Sequence, residues 1–226
     1  MKPDNQLFSE DPAQQSAGTL EQLSLLADLS QDFVKSMDIN DILRRAVTRI
    51  KSYMDAEAAS VFLLDKAHEN LVCRASAGPV DVTSMALKTD AGIIGRTFTT
   101  GKSQMIKDAR KDADFVCHVD TLTGFQTRSV LCAPLISQGK TIGVIQVLNK
   151  LNEKLFQIRD LDILRLLATP IALAVQNARY TLNFVEQKRI KKELTLARKV
   201  QRSLFPGRLE PPFPVVGSNI SANEVS

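Results

Sequence analysis

The 226-residue chain contains no tryptophan, two tyrosines and ten phenylalanines. So small an aromatic share argues against the stacking platforms that hold nucleic acids. Cysteine is scarce as well: Cys73, Cys117 and Cys132 are widely spaced and form no CxxC pair. That is not a disulfide framework, and it fits a reducing cytoplasm. The two histidines, His68 and His118, fall in no Cys/His ligand spacing, so no metal site is expected. No long uncharged apolar run occurs, and no apolar stretch follows a basic start. The expectation is a cytoplasmic protein, neither embedded in a membrane nor exported. A nucleophile elbow, a P-loop and carboxylates paired at metal spacing are all missing, which leaves catalysis in this chain without a basis. Asp108, Asp112 and Asp114 cluster, but in a loop.

What the chain does have is apolar patterning, with 44% hydrophobic residues. The net charge of +4 is concentrated in one segment, where Lys188, Arg189, Lys191, Lys192, Arg198 and Lys199 crowd together. This reads as a solvated helix face, not as a nucleic-acid surface. Residues 1–18 are polar and form a tail too poor in apolar groups to order itself. Thr19 to Gln22 matches a capping box, and a helix is expected from Leu20 to Met37. A second helix, capped by Asp38 or Asn40, carries the stripe Ile39, Ile42, Leu43, Ala46, Val47, Ile50 and Met54. Strands follow at Ser60–Leu64, Leu71–Ala75, more weakly at Ser84–Leu87, and at Gln104–Ile106. A short helix is expected between them, from Asp90 to Gly101. Asp108 to Thr127 is a polar loop with little to bury. Ser129–Ile136 and Thr141–Leu148, joined at Gln138-Gly139, read as an antiparallel hairpin. Helices before, between and after such strands give an α+β fold packed around an antiparallel sheet.

From Asp160 a helical pattern persists to about Leu204. Leu161, Leu164, Ala168, Ile171, Val175, Ala178, Leu182 and Val185 recur in threes and fours, a heptad seam that implies a partner helix. Pro170 is expected to kink it. Pro206, Pro211, Pro212 and Pro214 then keep the chain extended.

Asn149-Lys150, a short spacer, Phe156, three residues and Asp160 resemble the signature of the GAF domains of cyclic-nucleotide phosphodiesterases and adenylate cyclases. Thr123 to Leu135 resembles the segment preceding that signature. The resemblance covers roughly Leu20 to Ala178, and it implies a sheet of about six strands with helices packed on it. It also implies a binding site for cyclic AMP or cyclic GMP. Ser60 matches a base-contacting serine, and Ile93 and Ile94 match backbone donors to the phosphate. Asp120, Thr123 and Thr127 match residues lining base, ribose and phosphate, and Gln146 stands where Glu or Gln is common. The chain departs from the subgroup at Ser76 and Ala77, in place of an aromatic and an Asp. Val116 replaces a pocket aromatic and Leu161 the final Glu of the signature. Lys150 and Asp160 are expected to pair and pin the loop. From the residues alone, Gly92 to Gly95 opening a helix suits an anion, although glycines there also serve as a plain turn.

A second resemblance covers the last thirty or so residues. Glu193-Leu194, Ala197-Arg198, Val200-Gln201, Leu204-Phe205-Pro206, Ile220, Ala222 and Val225 are similar to the entry into a SpoIIE/RsbU-like serine/threonine phosphatase of the PP2C type. It implies a longer natural protein, whose missing phosphatase domain would hold Mg or Mn, this chain holding no cofactor. The resulting division is a GAF sensor at 19–178, a coiled-coil linker at 179–205 and the start of a phosphatase domain at 206–226. The sensor is expected to form a homodimer through its terminal helices and to pass ligand-driven ordering of the loop into the helix at Asp160. The rival expectation is a scaffold for dimerisation and protein docking that binds no small molecule.

Overall fold

The computed structural model of the protein describes residues 38–204, and the chain divides after Ala178 into two units. The expected tail, the helix over Leu20–Met37 and the segment after Leu204 lie outside the described residues.

Helix α1 spans Ile39–Tyr53, and Asp38 is its cap: the carboxylate accepts from the Asn40 N–H at 2.8 Å. Ile42, Leu43, Ala46, Val47 and Ile50 are buried along one face, the stripe the spacing predicts. Six strands follow: β1 (Ala56–Leu64), β2 (Asn70–Ala77), β3 (Ala86–Lys88), β4 (Gln104–Ile106), β5 (Val130–Ser137) and β6 (Lys140–Lys150). They form one antiparallel sheet in the order β3-β2-β1-β6-β5-β4. Helix α2 (Gly92–Thr100) lies between β3 and β4, α3 (His118–Thr123) between β4 and β5, and α4 (Ile158–Leu204) after β6. The fold class is the expected α+β sandwich.

Gln138 and Gly139 take φ of 51° and 74°, the left-handed pair that lets a two-residue turn follow the twist of β5 and β6. The sequence expectation fails at three places. β1 begins at Ala56 and not Ser60, because Ala56, Ala58 and Ala59 are too small to mark a strand by hydrophobicity. β3 starts two residues after Ser84, whose φ of 73° belongs to a turn. The stretch from Asp108 to Thr127 is not a bare loop. It contains a 3₁₀ turn, Ala109–Lys111, with Ala109 fully buried, and then α3. Thr121 and Thr123 hydroxyls donate to the carbonyls of Cys117 and Val119, and Gly124 ends α3 with φ 71°. Short polar side chains thus serve this helix locally, which is why its sequence looks like loop.

The sheet separates two apolar clusters. Ala59, Val61 and Leu63 of β1, Leu131, Ala133 and Leu135 of β5, and Ile145 and Val147 of β6 face α1 and α4. Their neighbours Phe62, Val130, Cys132 and Val144 join Ile93 and Ile94 of α2 on the opposite face. Strands buried on both faces read as unbroken apolar runs, as β5 and β6 do. Leu161, Leu164, Ala168, Ile171 and Val175 of α4 are buried in the helix-facing cluster of their own unit. The first half of the heptad seam is therefore covered by the chain's own sheet, which corrects the expectation of a partner helix there. Spacing in threes and fours suits either neighbour. In the second unit, Leu182 and Val185 are exposed. Pro170 lies within α4 without ending it. No helix among the described residues is long and apolar enough to cross a membrane.

Candidate functional site

One register row crosses the sheet on the face opposite α1 and α4. Ser60 of β1 pairs with Ser76 of β2 on one side and Gln146 of β6 on the other, and Gln146 pairs with Cys132 of β5. Polar side chains in the middle of an apolar face need partners. Ser60 donates its hydroxyl to Gln146 Oε1 at 3.4 Å. Ser76 donates to Asp81 Oδ1 at 2.7 Å and accepts from the Val82 N–H at 3.3 Å, closing the turn after β2. Hydrogen bonds from Thr83 and Ser76 hold the Asp81 carboxyl at about 2.

Above this row is a cavity of about 130 Å³. Its floor is Ser60, Phe62, Ser76, Val130, Gln146 and Leu148 from the sheet. Gly92, Ile93 and Ile94 at the start of α2 form one wall. Phe115, Val116, Val119, Asp120, Thr123, Phe125 and Thr127 roof it. All nine residues nominated from sequence line this one cavity: Ser60, Ser76, Ile93, Ile94, Val116, Asp120, Thr123, Thr127 and Gln146. They come from β1, β2, α2, the roof and β6, so only the folded chain brings them together.

The lining is mainly apolar, and Asp120 is its one charged residue. Asp120 is already engaged: Oδ2 accepts from the Thr127 N–H and Oδ1 from the Thr127 hydroxyl, each at 2.7 Å. The pair closes the far end of the roof. A Cβ placed on Gly92 would meet Val116 Cγ2 at 3.4 Å, so the roof rests directly on the start of α2. Gly92 has φ 69°, and Ala91 supplies no side-chain cap. The first N–H groups of a helix carry partial positive charge, and these adjoin the cavity.

The signature residues hold the frame and do not line the cavity. Asn149 is fully buried with φ 53°. Its Oδ1 accepts from the N–H groups of Arg128 and Ser129 at 2.7 and 3.1 Å. Its Nδ2 donates to Glu57 Oε2 and to the Gln126 carbonyl, both at 2.7 Å. All four hydrogen-bonding positions of the amide are filled. The end of β6 is thereby tied to the exit of the roof and to the start of β1. Burial pushes the Glu57 carboxyl up, but hydrogen bonds from Arg128 and Asn149 and the charge of Arg128 outweigh it and hold the group below its ordinary value.

Lys150 Nζ meets Asp160 Oδ1 at 2.7 Å with both side chains largely covered, the pair expected from sequence. Asp160 Oδ2 also accepts from the Gln157 N–H at 2.7 Å, as a capping-box acid does at a helix start. Phe156, fully buried, and Leu161 belong to the same cluster and flank this start as a hydrophobic staple. Leu161, in place of the signature Glu, thus fills a core position.

Sequence reasoning missed Phe115 and Phe125, which bring to the roof the aromatic rings absent at Ser76 and Val116. Each follows a turn-forming residue in a polar stretch, and nothing in that stretch marks them as facing inward. Cys73 and Cys132 lie in the cavity-side cluster, and burial pushes both thiols up to about 12, far from a reactive thiolate. Cys117 is exposed.

A family model described as GAF domain matches residues 38–175. A cGMP-specific 3′,5′-cyclic phosphodiesterase of Drosophila ananassae is 30% identical over 199 residues, covering 80% of this chain and 17% of that protein. The enzyme of the same description from Drosophila melanogaster is 29% identical over 199 residues, covering 80% and 18%. The chain therefore spans less than a fifth of the length of these relatives. Among solved structures, the GAF domain of a phosphoenolpyruvate-protein phosphotransferase from Coxiella burnetii aligns with a TM-score of 0.65 at 21% identity, covering 72% of this chain and 96% of that one. Free methionine-R-sulfoxide reductase from Neisseria meningitidis aligns at 0.61 and 20% identity, covering 71% and 91%. At such identity the two structures speak for the fold alone.

Proposed function

The chain belongs to the GAF family, and from that premise we propose that its cavity binds a cyclic nucleotide as a regulatory signal. The observation that carries the reading is that the nine residues matched to the family's ligand site line one cavity. The cyclic phosphate sits at the uncapped start of α2, beside the N–H groups of Ile93 and Ile94, where the lining offers no cationic side chain. The base lies over the Ser60–Gln146 row with Phe115 and Phe125 near it. With Gln146 Oε1 accepting from Ser60 at 3.4 Å, Nε2 is the donor the amide offers to a base. A donor there suits the O6 acceptor of guanine better than the N6 donor of adenine. Cyclic GMP is therefore the favoured ligand, in keeping with the cGMP-specific relatives.

The wider assignment is a dimeric cytoplasmic sensor. Ordering of the roof is passed through Asn149, Lys150 and the start of α4 to a coiled coil at 179–205, and from there to a serine/threonine phosphatase domain. The chain itself catalyses nothing, and Mg or Mn belongs to the phosphatase. Support for the second half comes from the heptad spacing at Leu182 and Val185 and from the residues after Glu193 that resemble a phosphatase entry. A ligand moves such an equilibrium only by binding one arrangement more tightly than the other.

A scaffold that binds no small molecule remains the competing reading, favoured by the engagement of Asp120 with Thr127 and of Ser76 with Asp81. Thermal unfolding with each nucleotide decides between them. At a hundred times its dissociation constant, cyclic GMP should stabilise the chain by about 2.7 kcal/mol, raising Tm by several degrees. Cyclic AMP should act only at higher concentration. No rise with either nucleotide at millimolar concentration selects the scaffold.

A further inference from the structure

The roof of the cavity is held by a side chain that does not line it. Arg96 projects from the second turn of α2. Its guanidinium grips Asp112 with two prongs, Nη2 to Oδ2 at 2.8 Å and Nη1 to Oδ1 at 3.1 Å, and Nη1 also reaches Asp114 Oδ2 at 2.6 Å. Asp112 is well shielded, with a side chain 12% exposed, whereas Asp114 is half exposed. The residues immediately after this clamp, Phe115 and Val116, are cavity-lining, and the Phe115 N–H donates to the Asp112 carbonyl at 3.1 Å. Val116 rests on Gly92. Upstream the roof is moored where the buried Ala109 donates its N–H to the Arg128 carbonyl at 2.7 Å; downstream it is moored by Asp120 and Thr127. One helix therefore lies under the roof at its first residue and clamps it from its second turn.

We propose that Arg96 is the latch of this cavity, a positioning residue that sets how fast a small ligand enters and leaves without touching it. The proposal rests on reading the cavity as a ligand site. In this reading a ligand reaches Ile93 and Ile94 past Val116, which lies against Gly92, and Val116 yields when Asp112 and Asp114 part from Arg96. Two-pronged, charge-assisted contacts that are partly covered are among the stronger polar ones, and salt screens them weakly. The same contact breaks on entry and on exit, so weakening it speeds both. A residue that grips the ligand itself would change exit alone.

The test uses the full chain, Arg96→Gln and Asp114→Asn, read in two ways. Without ligand, hydrogen–deuterium exchange of amides 112–119 should rise about tenfold in Arg96→Gln, the effect of losing a charge-assisted hydrogen bond, while β1 and β6 stay protected. Asp114→Asn, which cuts the exposed arm, should give a smaller rise in the same segment and carries the test if Arg96→Gln folds poorly. Stopped-flow measurements with an anthraniloyl derivative of cyclic GMP should show entry and exit both faster by about the same factor, so that Kd moves little. Arg96→Lys keeps the charge but loses the fork, and it should fall between native and Gln. Unchanged exchange in both variants, or faster exit without faster entry, overturns the latch. Faster exchange in a chain to which cyclic GMP does not bind leaves the latch standing and removes the cyclic-nucleotide reading.

Discussion

The two faces of the sheet are built from alternate residues of the same strands, yet they differ in kind. On β6, Ile145 and Val147 meet α1 and α4 in a wholly apolar cluster, while Val144, Gln146 and Leu148 look toward the cavity. On β1, Val61 and Leu63 oppose Ser60 and Phe62 in the same way. The helix side is close-packed and has no use for a polar group. The cavity side carries Ser60, Gln146 and Ser76 in one row and leaves room above them. Neighbouring positions in one strand therefore have unlike duties: one side of the sheet holds the fold together, and the other is free to vary with the ligand.

The sharpest way to break that comparison is to truncate adjacent residues. Ile145→Ala should cost about 3 kcal/mol in urea unfolding, since it opens a hole in a side that cannot collapse. Gln146→Leu, one residue on, should change stability by less than about 1 kcal/mol, because its amide is only partly buried, and should abolish the thermal shift with cyclic GMP. Comparable losses from both would mean that the faces are not divided in this way. Next in size is Asn149→Ala, which strands the buried N–H of Ser129 and the partly buried N–H of Arg128. We expect a loss of about 2 kcal/mol by the same measurement. It should be larger than for Lys150→Ala, whose partner Asp160 keeps the Gln157 N–H.

The smallest effect concerns acid. Hydrogen bonds from Arg96 hold the Asp112 carboxyl below its ordinary value against the opposing pull of burial, and Glu57 is lowered as described above. A carboxyl depressed in the folded chain adds stability that is present above the ordinary carboxylate range, near pH 4, and is lost as the pH falls through the folded value. Tm measured from about pH 6 down to about pH 3 should therefore fall less steeply in Asp112→Asn than in the native chain. Equal slopes would show that the clamp contributes nothing to acid stability.

Much of this division was legible in the sequence. The stripe on α1, the hairpin turn at Gln138-Gly139 and the spacing from Asn149 to Asp160 are each set by local geometry, and local geometry leaves a periodic trace. The nine cavity residues were legible through resemblance, because no spacing links Ser60 to Asp120. What escaped has a physical reason in each case. Alanines at the start of β1 carry too little hydrophobic contrast. α3 is held by its own threonines and looks like loop. The grip of Arg96 on residues sixteen and eighteen positions away depends on a fold that brings α2 and the roof together, and a charge pair leaves no period. The heptad seam misled in its first half because a sheet and a partner helix ask for the same stripe.

The strand β6 has one more consequence. Gln146 on the floor, Asn149 at the tie to the roof and Lys150, paired with Asp160 at the start of α4, lie within five consecutive residues, so their spacing along the chain is fixed. A substitution along that stretch disturbs one contact at a time, whereas a single added residue between Gln146 and Asn149 disturbs the spacing of them all. It would turn the glutamine into the helix-facing cluster or carry the asparagine away from its four partners. In descendants of this chain, the number of residues from Gln146 to Lys150 should stay constant.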